Sequence, residues 1–248
     1  VGMNHGGDAN LAWEMVQAAH EYGADFIKLQ TYSTERFFHP SLTYFNSTKS
    51  MELSLEGTAE LFSKSEKNGI QLFTPPFDPE SVDFIEGFSP KLYKIASMDN
   101  DNTPLIEHIA RKGKPVIVSC GMASFDEISQ VLETVKKTGN DQLILLHCIS
   151  DYPAKRESLN LEMIPHLKNK FNVPIGFSDH AIGLNSAFMA ISMGASMVEK
   201  HFTTDRKLAD HMPDADHDIS IEPQELSELI AFAEDASLMR GKAPRQIT

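Results

Sequence analysis

The chain of 248 residues contains only two cysteines, one tryptophan and no run of basic residues. Cys120 and Cys148 sit in separate apolar segments with no Cys-x-x-Cys, which excludes a disulfide scaffold and points to a reduced compartment. Their apolar neighbours make them small buried residues rather than activated nucleophiles. No apolar run approaches the roughly 18–20 residues of a membrane helix, and no charged-then-apolar leader opens the chain, so the expectation is a soluble, cytoplasmic protein with no membrane partner. Lys and Arg number 22 against 35 Asp and Glu, a formal charge of −13. Clustered cations that neutralise phosphates are therefore missing and no nucleic-acid partner is expected. Any anionic ligand must meet a local basic pocket. No G-x-G-x-x-G follows a strand-like run, and Gly6-Gly7 alone suggests no dinucleotide site.

Short β-branched runs alternate with longer amphipathic ones along the whole length, without a low-complexity linker. Strands are expected at 25–30, 70–75, 91–97, 115–121, 143–148, 173–179 and 197–202. Helices are expected near 10–22, 58–68, 79–87, 104–111, 124–137, 159–170, 183–193 and 224–238. Asp78 before Pro79, Thr103 before Pro104, and Ser124 with Glu127 mark helix starts, and Gly23, Gly69, Gly113, Gly139 and Gly194 mark helix ends. Met15, Met163, Met189, Met193 and Met239 read as core, and Trp13 packs in the first helix. Apolar strands separated by helices imply a parallel sheet with right-handed crossovers. Seven strands and eight helices, beginning on a helix, describe an α/β fold of the eight-fold (β/α)8 TIM-barrel type whose first strand is largely missing, with Val1-Gly2 as its stub. Residues 1–248 then form one barrel domain.

In such a barrel the chemistry sits at the carboxyl ends of the strands. Polar residues fall there in order: Asn4-His5, Lys28 with Gln30, Thr74, Lys94 with Ser97, Ser119, His147, Ser178-Asp179-His180, and Glu199 with His201. Lys28 and Lys94 lie inside apolar runs, where an ammonium needs either a neighbouring carboxylate or a bound anion. Their company of Ser97, Ser119 and Ser178 favours a bound phosphate or carboxylate. His180 and His201 end adjacent strands with Asp179 and Glu199 nearby, which favours a divalent metal over two merely hydrogen-bonded imidazoles. The acidic segment 210–218 reads as a lid, a metal site or a solvated loop, and within it Asp216 and His217 stand out.

Taken together and in order, VGMNHGG (1–7), FIKLQTY (26–32), TPPF (74–77), YKIAS (93–97), GKPVIVSCGMAS (113–124), LLHCISDYP (145–153), IGFSDH (175–180), EKHFT (199–203) and DADHDISIEP (214–223) resemble the sialic acid synthase family, including its spore-coat polysaccharide branch. The resemblance covers essentially the whole chain. It implies a C–C bond-forming transferase that condenses phosphoenolpyruvate with the open-chain aldehyde of an N-acylated hexosamine, N-acetylmannosamine-like, giving a nonulosonic acid and phosphate. It implies a divalent metal, manganese with magnesium or cobalt as alternatives, between His180 and His201.

By the same resemblance Lys28, Lys94, Glu199 and Asp216 are catalytic. Asn4, Gln30, Thr74, Ser97, Asp99, Ser119, Ser150, Tyr152 and Ser178 then bind substrate. The family carries a Glu just before the position of Val1, and a C-terminal antifreeze-like domain that is absent after Thr248 and on which its homodimer partly rests. Ser150 replaces the family's Asn, Asp99 its Glu, and Pro75 alters a Ser-Thr-Pro-Phe run. Two alternatives stay open: a related metal-dependent phosphoenolpyruvate or aldolase-type barrel using another aldehyde, and a ligand-binding barrel without turnover that serves as a partner subunit.

Overall fold

Helix and strand starts follow from local chemistry. In the computed structural model, which describes residues 1–241, the Asp8 carboxylate caps α1 (Ala9–Glu21) by accepting from the Asn10 and Leu11 amides. Two elements break the expected rhythm. After β1 (Ile27–Lys28) come α2 (Thr34–Phe37) and α3 (Phe45–Met51). Their segment has no helical period and is held by aromatic packing, Phe37 lying 4.8 Å from Phe77 and 4.3 Å from Phe38 between ring centroids. The order then runs α4 (Leu55–Lys67), β2 (Leu72–Phe73), α5 (Pro79–Glu86), β3 (Tyr93–Ile95), α6 (Thr103–Ala110), β4 (Val116–Ser119) and α7 (Phe125–Lys137). It closes with β5 (Leu143–Cys148), α8 (Met163–Phe171), β6 (Ile175–Asp179), α9 (Asn185–Ser192), β7 (Val198–Lys200) and α10 (Pro223–Arg240).

The capping box of Ser124 with Glu127 forms, and Asp78 caps α5. Thr103, expected as a cap, is instead the first residue of α6, because the Asn102 side chain takes the Leu105 amide. Met189 and Met239, expected in the core, are 54% and 75% exposed. Both face outward on their helices, while Met15 is fully buried. Trp13 packs at the edge of the core, with the Lys64 ammonium 5.6 Å from its ring. Both cysteines are free and buried.

Among the described residues all seven strands are parallel, in ladders β1-β2 and β3-β4-β5-β6-β7. Helices cover the outer face, and the large core lies between them and the strands. A second, smaller cluster of Phe73, Leu92, Ile117 and Leu146, with Ile144 and Met197 packed on it, joins side chains from both ladders. The two ladders therefore curve around one common interior. Gly176 belongs to that layer by necessity, since a Cβ there would lie 2.5 Å from Leu146 Cδ2 and 2.7 Å from the Met197 carbonyl oxygen.

Between β1 and β7 the wall is open. β1 pairs with β2 and β7 with β6, so each turns an edge toward the other. A cavity of about 610 Å³ lies between them, walled by Phe26, Met197, Leu226 and Ile230, with Lys28 and Glu199 at its head. Val1 and Gly2 stand at that head, their backbone nitrogens 3.1 Å and 3.3 Å from the Lys28 carbonyl oxygen. No helix among the described residues is long and apolar enough to cross a membrane.

Candidate active site

Side chains alternate faces along a strand, so a residue two positions past a member of the interior layer also points inward. Lys94 follows Leu92 in this way, Ser119 follows Ile117, Cys148 follows Leu146, Ser178 follows Gly176, and Glu199 follows Met197. Lys28 shares the face of its register partner Phe73. One polar layer thus caps the apolar one at the carboxyl ends of the strands.

Within this layer Glu199 bridges two cations. Its Oε1 lies 2.9 Å from Lys28 Nζ and 3.9 Å from Lys94 Nζ, and it accepts the Ser178 hydroxyl at 2.8 Å. Lys94 is almost fully enclosed and donates to Ser119 Oγ at 2.6 Å and to the Ile95 carbonyl at 3.2 Å. Burial alone would raise the Glu199 pKa, but Lys28 and then Lys94 outweigh it and hold the carboxyl well below its usual range. Burial, partly offset by Glu199, draws Lys94 below an ordinary lysine. The neighbouring-carboxylate and bound-anion readings of the lysines are therefore compatible. Two ammonium groups share one carboxylate, which leaves one positive charge to meet an anion.

Ser97 accepts the Gly121 amide at 3.0 Å and contacts Cys148 Sγ at 3.2 Å. Gly121 must lack a side chain, because a Cβ would come within 2.5 Å of Ser150 Oγ and 2.6 Å of Cys148 Sγ. That close approach brings Ser97, Ser119 and the exposed Ser150 to the same corner as Lys94. Asp99, one short turn past Ser97, is buried, and burial raises its pKa.

On the other side His180 and His201 face each other with ring centroids 5.5 Å apart. Tyr152 stacks on His180 at 4.0 Å and meets His201 edge-on at 5.8 Å. His180 Nδ1–H donates to the Ile149 carbonyl at 2.7 Å, which fixes that tautomer and leaves a lone pair on Nε2, 3.5 Å from Ser178 Oγ. His201 Nδ1 lies 3.3 Å from Asp216 Oδ2 yet is buried without a properly directed hydrogen bond. Burial, and then Lys28, push His201 well below an ordinary histidine, so this contact is no ion pair at neutral pH. Burial likewise lowers His180 and raises Asp216.

Other expected residues are spent within the fold. The Asn4 amide donates to the Phe202 carbonyl at 2.9 Å and to Ser220 Oγ at 2.8 Å, and its oxygen accepts the Asp216 amide at 2.8 Å. Asn4 thus holds the 210–218 segment at Asp216, beside His201, while Asp210, His211, Asp214 and Asp218 stay exposed as in a solvated loop. His217, fully buried, meets Thr203 Oγ1 at 2.8 Å. Thr74 donates to Thr31 Oγ1 at 3.1 Å, and His147 Nε2 pairs with the Leu159 carbonyl at 2.7 Å. Gln30, half-buried, lies two residues past Lys28 on the same face. Lys200, which the sequence reading passed over, is enclosed beside Asp179 at 3.2 Å.

Parallel strands with helices outside and an anion-poised, two-imidazole site at the strand ends define a barrel-type α/β enzyme domain. Residues 15–245 match the NeuB family, and the chain belongs to that family. It is 35% identical to an N,N'-diacetyllegionaminic acid synthase of Legionella pneumophila, across 99% of this chain and 73% of that protein. It is 36% identical to a pseudaminic acid synthase of Campylobacter jejuni, across 83% of this chain and 64% of that protein. The crystal structure of an N-acetylneuraminic acid (sialic acid) synthetase from Leptospira borgpetersenii, in complex with citrate, superposes with a TM-score of 0.93 at 36% identity, covering all of this chain and 85% of the other. The named relatives are synthases, and this chain is an enzyme of their kind.

Proposed function

We propose that this chain condenses phosphoenolpyruvate with the open-chain aldehyde of an N-acylated hexosamine, N-acetylmannosamine-like, to give a nonulosonic acid and inorganic phosphate. The observation that carries the reading is the unequal charge at the strand ends, two enclosed lysines sharing Glu199 beside a pair of neutral imidazoles. In this reaction C3 of the enol ester attacks the aldehyde carbon, water adds at C2, and the C–O bond to phosphate breaks to leave the keto group. Lys28 and Lys94 hold the phosphate and carboxylate, and Ser97, Ser119 and Ser178 orient them by hydrogen bonds. Glu199 enters as a carboxylate, so it orients the two lysines and has no proton to donate. Tyr152, Ser150, Asp99 and Asp216 line the approach of the sugar.

A divalent metal fits His180 and His201. Both imidazoles are held neutral, one is backed by a carbonyl, and His201 Nδ1 is buried without a directed hydrogen bond. Among the described residues no group of three or more His, Cys, Asp or Glu is placed to hold a metal ion, so the protein ligands proposed here are the two imidazoles alone. Bound there, manganese, or magnesium or cobalt in its place, would act as a Lewis acid on the aldehyde oxygen.

Parallel ladders that share one apolar interior layer support a (β/α)8 barrel.

The function is tested by phosphate release from phosphoenolpyruvate with manganese, across N-acylated hexosamines and plain aldoses, with a chelator control. Aldehyde-dependent, chelator-sensitive release is expected; release with plain aldoses alone points to the related aldolase-type barrel. Lys94→Met should raise KM for phosphoenolpyruvate by about 10- to 100-fold, the worth of a charge-assisted hydrogen bond. Unchanged affinity would make Lys94 a structural ion-pair member only.

A further inference from the structure

The outward faces of β6 and β7 carry an ion pair at the level of the two imidazoles. Asp179 and Lys200 are register partners in the parallel ladder, one residue before His180 and His201 respectively. Their side chains are 0% and 3% exposed, and Lys200 Nζ lies 3.2 Å from Asp179 Oδ2. Both also grip the backbone just past His180. Asp179 Oδ1 accepts the Ala181 amide at 2.9 Å, closing a tight turn around His180, and Lys200 Nζ donates to the Ala181 carbonyl. The second carboxylate oxygen accepts Ser186 Oγ of α9 at 2.6 Å, tying the turn to the helix layer.

We propose that the Asp179–Lys200 pair is a positioning clamp that sets the separation and orientation of His180 and His201, and through them the affinity of the metal assigned above, a reading on which this inference rests. The physical reason is the cost of error at such a site. Two ligands on different strands hold one ion only while the strand ends keep their stagger, and a β6 end of apolar residues alone can slide or twist by tenths of an ångström at small cost. The enclosed pair removes that freedom, because any slip separates opposite charges where water cannot compensate. Neither residue touches the interior site, since each points to the opposite face from Ser178 and Glu199.

The test compares Asp179→Asn and Lys200→Met with Leu167→Ala, a truncation of a buried leucine on α8 that removes no member of the ion pair. Manganese affinity is measured by calorimetry, and melting is followed in chelator. The clamp predicts manganese binding weakened about 10- to 100-fold in both β6–β7 variants, the usual effect of groups that orient ligands. Leu167→Ala should stay within twofold of wild type at an equal or larger loss of melting temperature. Wild-type manganese affinity in Asp179→Asn or Lys200→Met, with stability lowered as in Leu167→Ala, would overturn the clamp.

A metal-free readout separates the clamp from the metal reading. The His180 Nδ1 proton on the Ile149 carbonyl should give a protected downfield NMR signal in the wild type and lose it in Asp179→Asn and Lys200→Met but not in Leu167→Ala. Absence of manganese binding by wild type alongside this pattern rejects the metal and keeps the clamp. Retention of the signal in both variants rejects the clamp.

Discussion

Replacing His180 and His201 together by alanine should lower metal-dependent phosphate release by on the order of a thousandfold or more, because a Lewis acid on a carbonyl supplies several kcal/mol of transition-state stabilisation. The fold should survive. His180 contributes one hydrogen bond to the Ile149 carbonyl, worth about 1 kcal/mol, and both side chains belong to the polar layer above the packed interior rather than to it. Circular dichroism melts should therefore stay cooperative, and calorimetry should show phosphoenolpyruvate still bound through Lys28 and Lys94. Wild-type turnover by the double variant with manganese present would remove the imidazoles from the chemistry. Since burial holds both rings below the ordinary histidine pKa, neither must shed a proton to bind metal at pH 7, and metal binding should persist into mildly acid solution.

The second large effect concerns Glu199. Glu199→Gln leaves Lys94 and Lys28 without their carboxylate in a nearly closed space, a change that typically costs about 3 kcal/mol or more. Saturating phosphoenolpyruvate should restore much of that loss by supplying the missing negative charge, while kcat falls because the two lysines lose the group that orients them. Thermal shifts with and without ligand read the first effect and single-turnover rates the second. A variant as stable as wild type without ligand would show that the lysines need no partner.

The same carboxylate gives a pH signature. Its folded pKa is depressed relative to an unfolded value of about 4.3, so its contribution is fully present above about pH 5 to 6 and is lost progressively as pH falls toward the folded value. The acid limb of stability should be steeper in wild type than in Glu199→Gln. Parallel limbs would assign acid lability to other carboxylates.

Much of this site was legible because a barrel places chemistry by strand position. Lysines within the runs FIKLQ and YKIAS, and histidines closing GFSDH and EKHF, are out of place in an apolar layer unless they do work, and they converge as the strand ends require. Asn4 shows where that logic stops. A polar residue at a strand end can face the mouth or knit the loops, and only the positions of Phe202, Ser220 and Asp216 decide that its amide does the latter. The helices α2 and α3 were invisible because tertiary contacts rather than periodicity hold them: Phe37 of α2 lies against Phe77, and the Tyr32 hydroxyl donates to the Thr48 carbonyl of α3. Lys200 carried a signal that was available: it alternates with Glu199 and His201, so it had to face outward and needed a buried anion.

The sequence by itself determined the parallel α/β rhythm, the helix caps at Asp78 and Ser124, the interior lysines and the paired histidines. Each of these depends on chemistry within a few residues or on strand alternation. Only the tertiary structure decided that one carboxylate serves both lysines and that Asp179 and Lys200 meet across β6 and β7. Those facts depend on which strands become neighbours and in what register, and register is set by the packing of the whole interior rather than by any local run of residues.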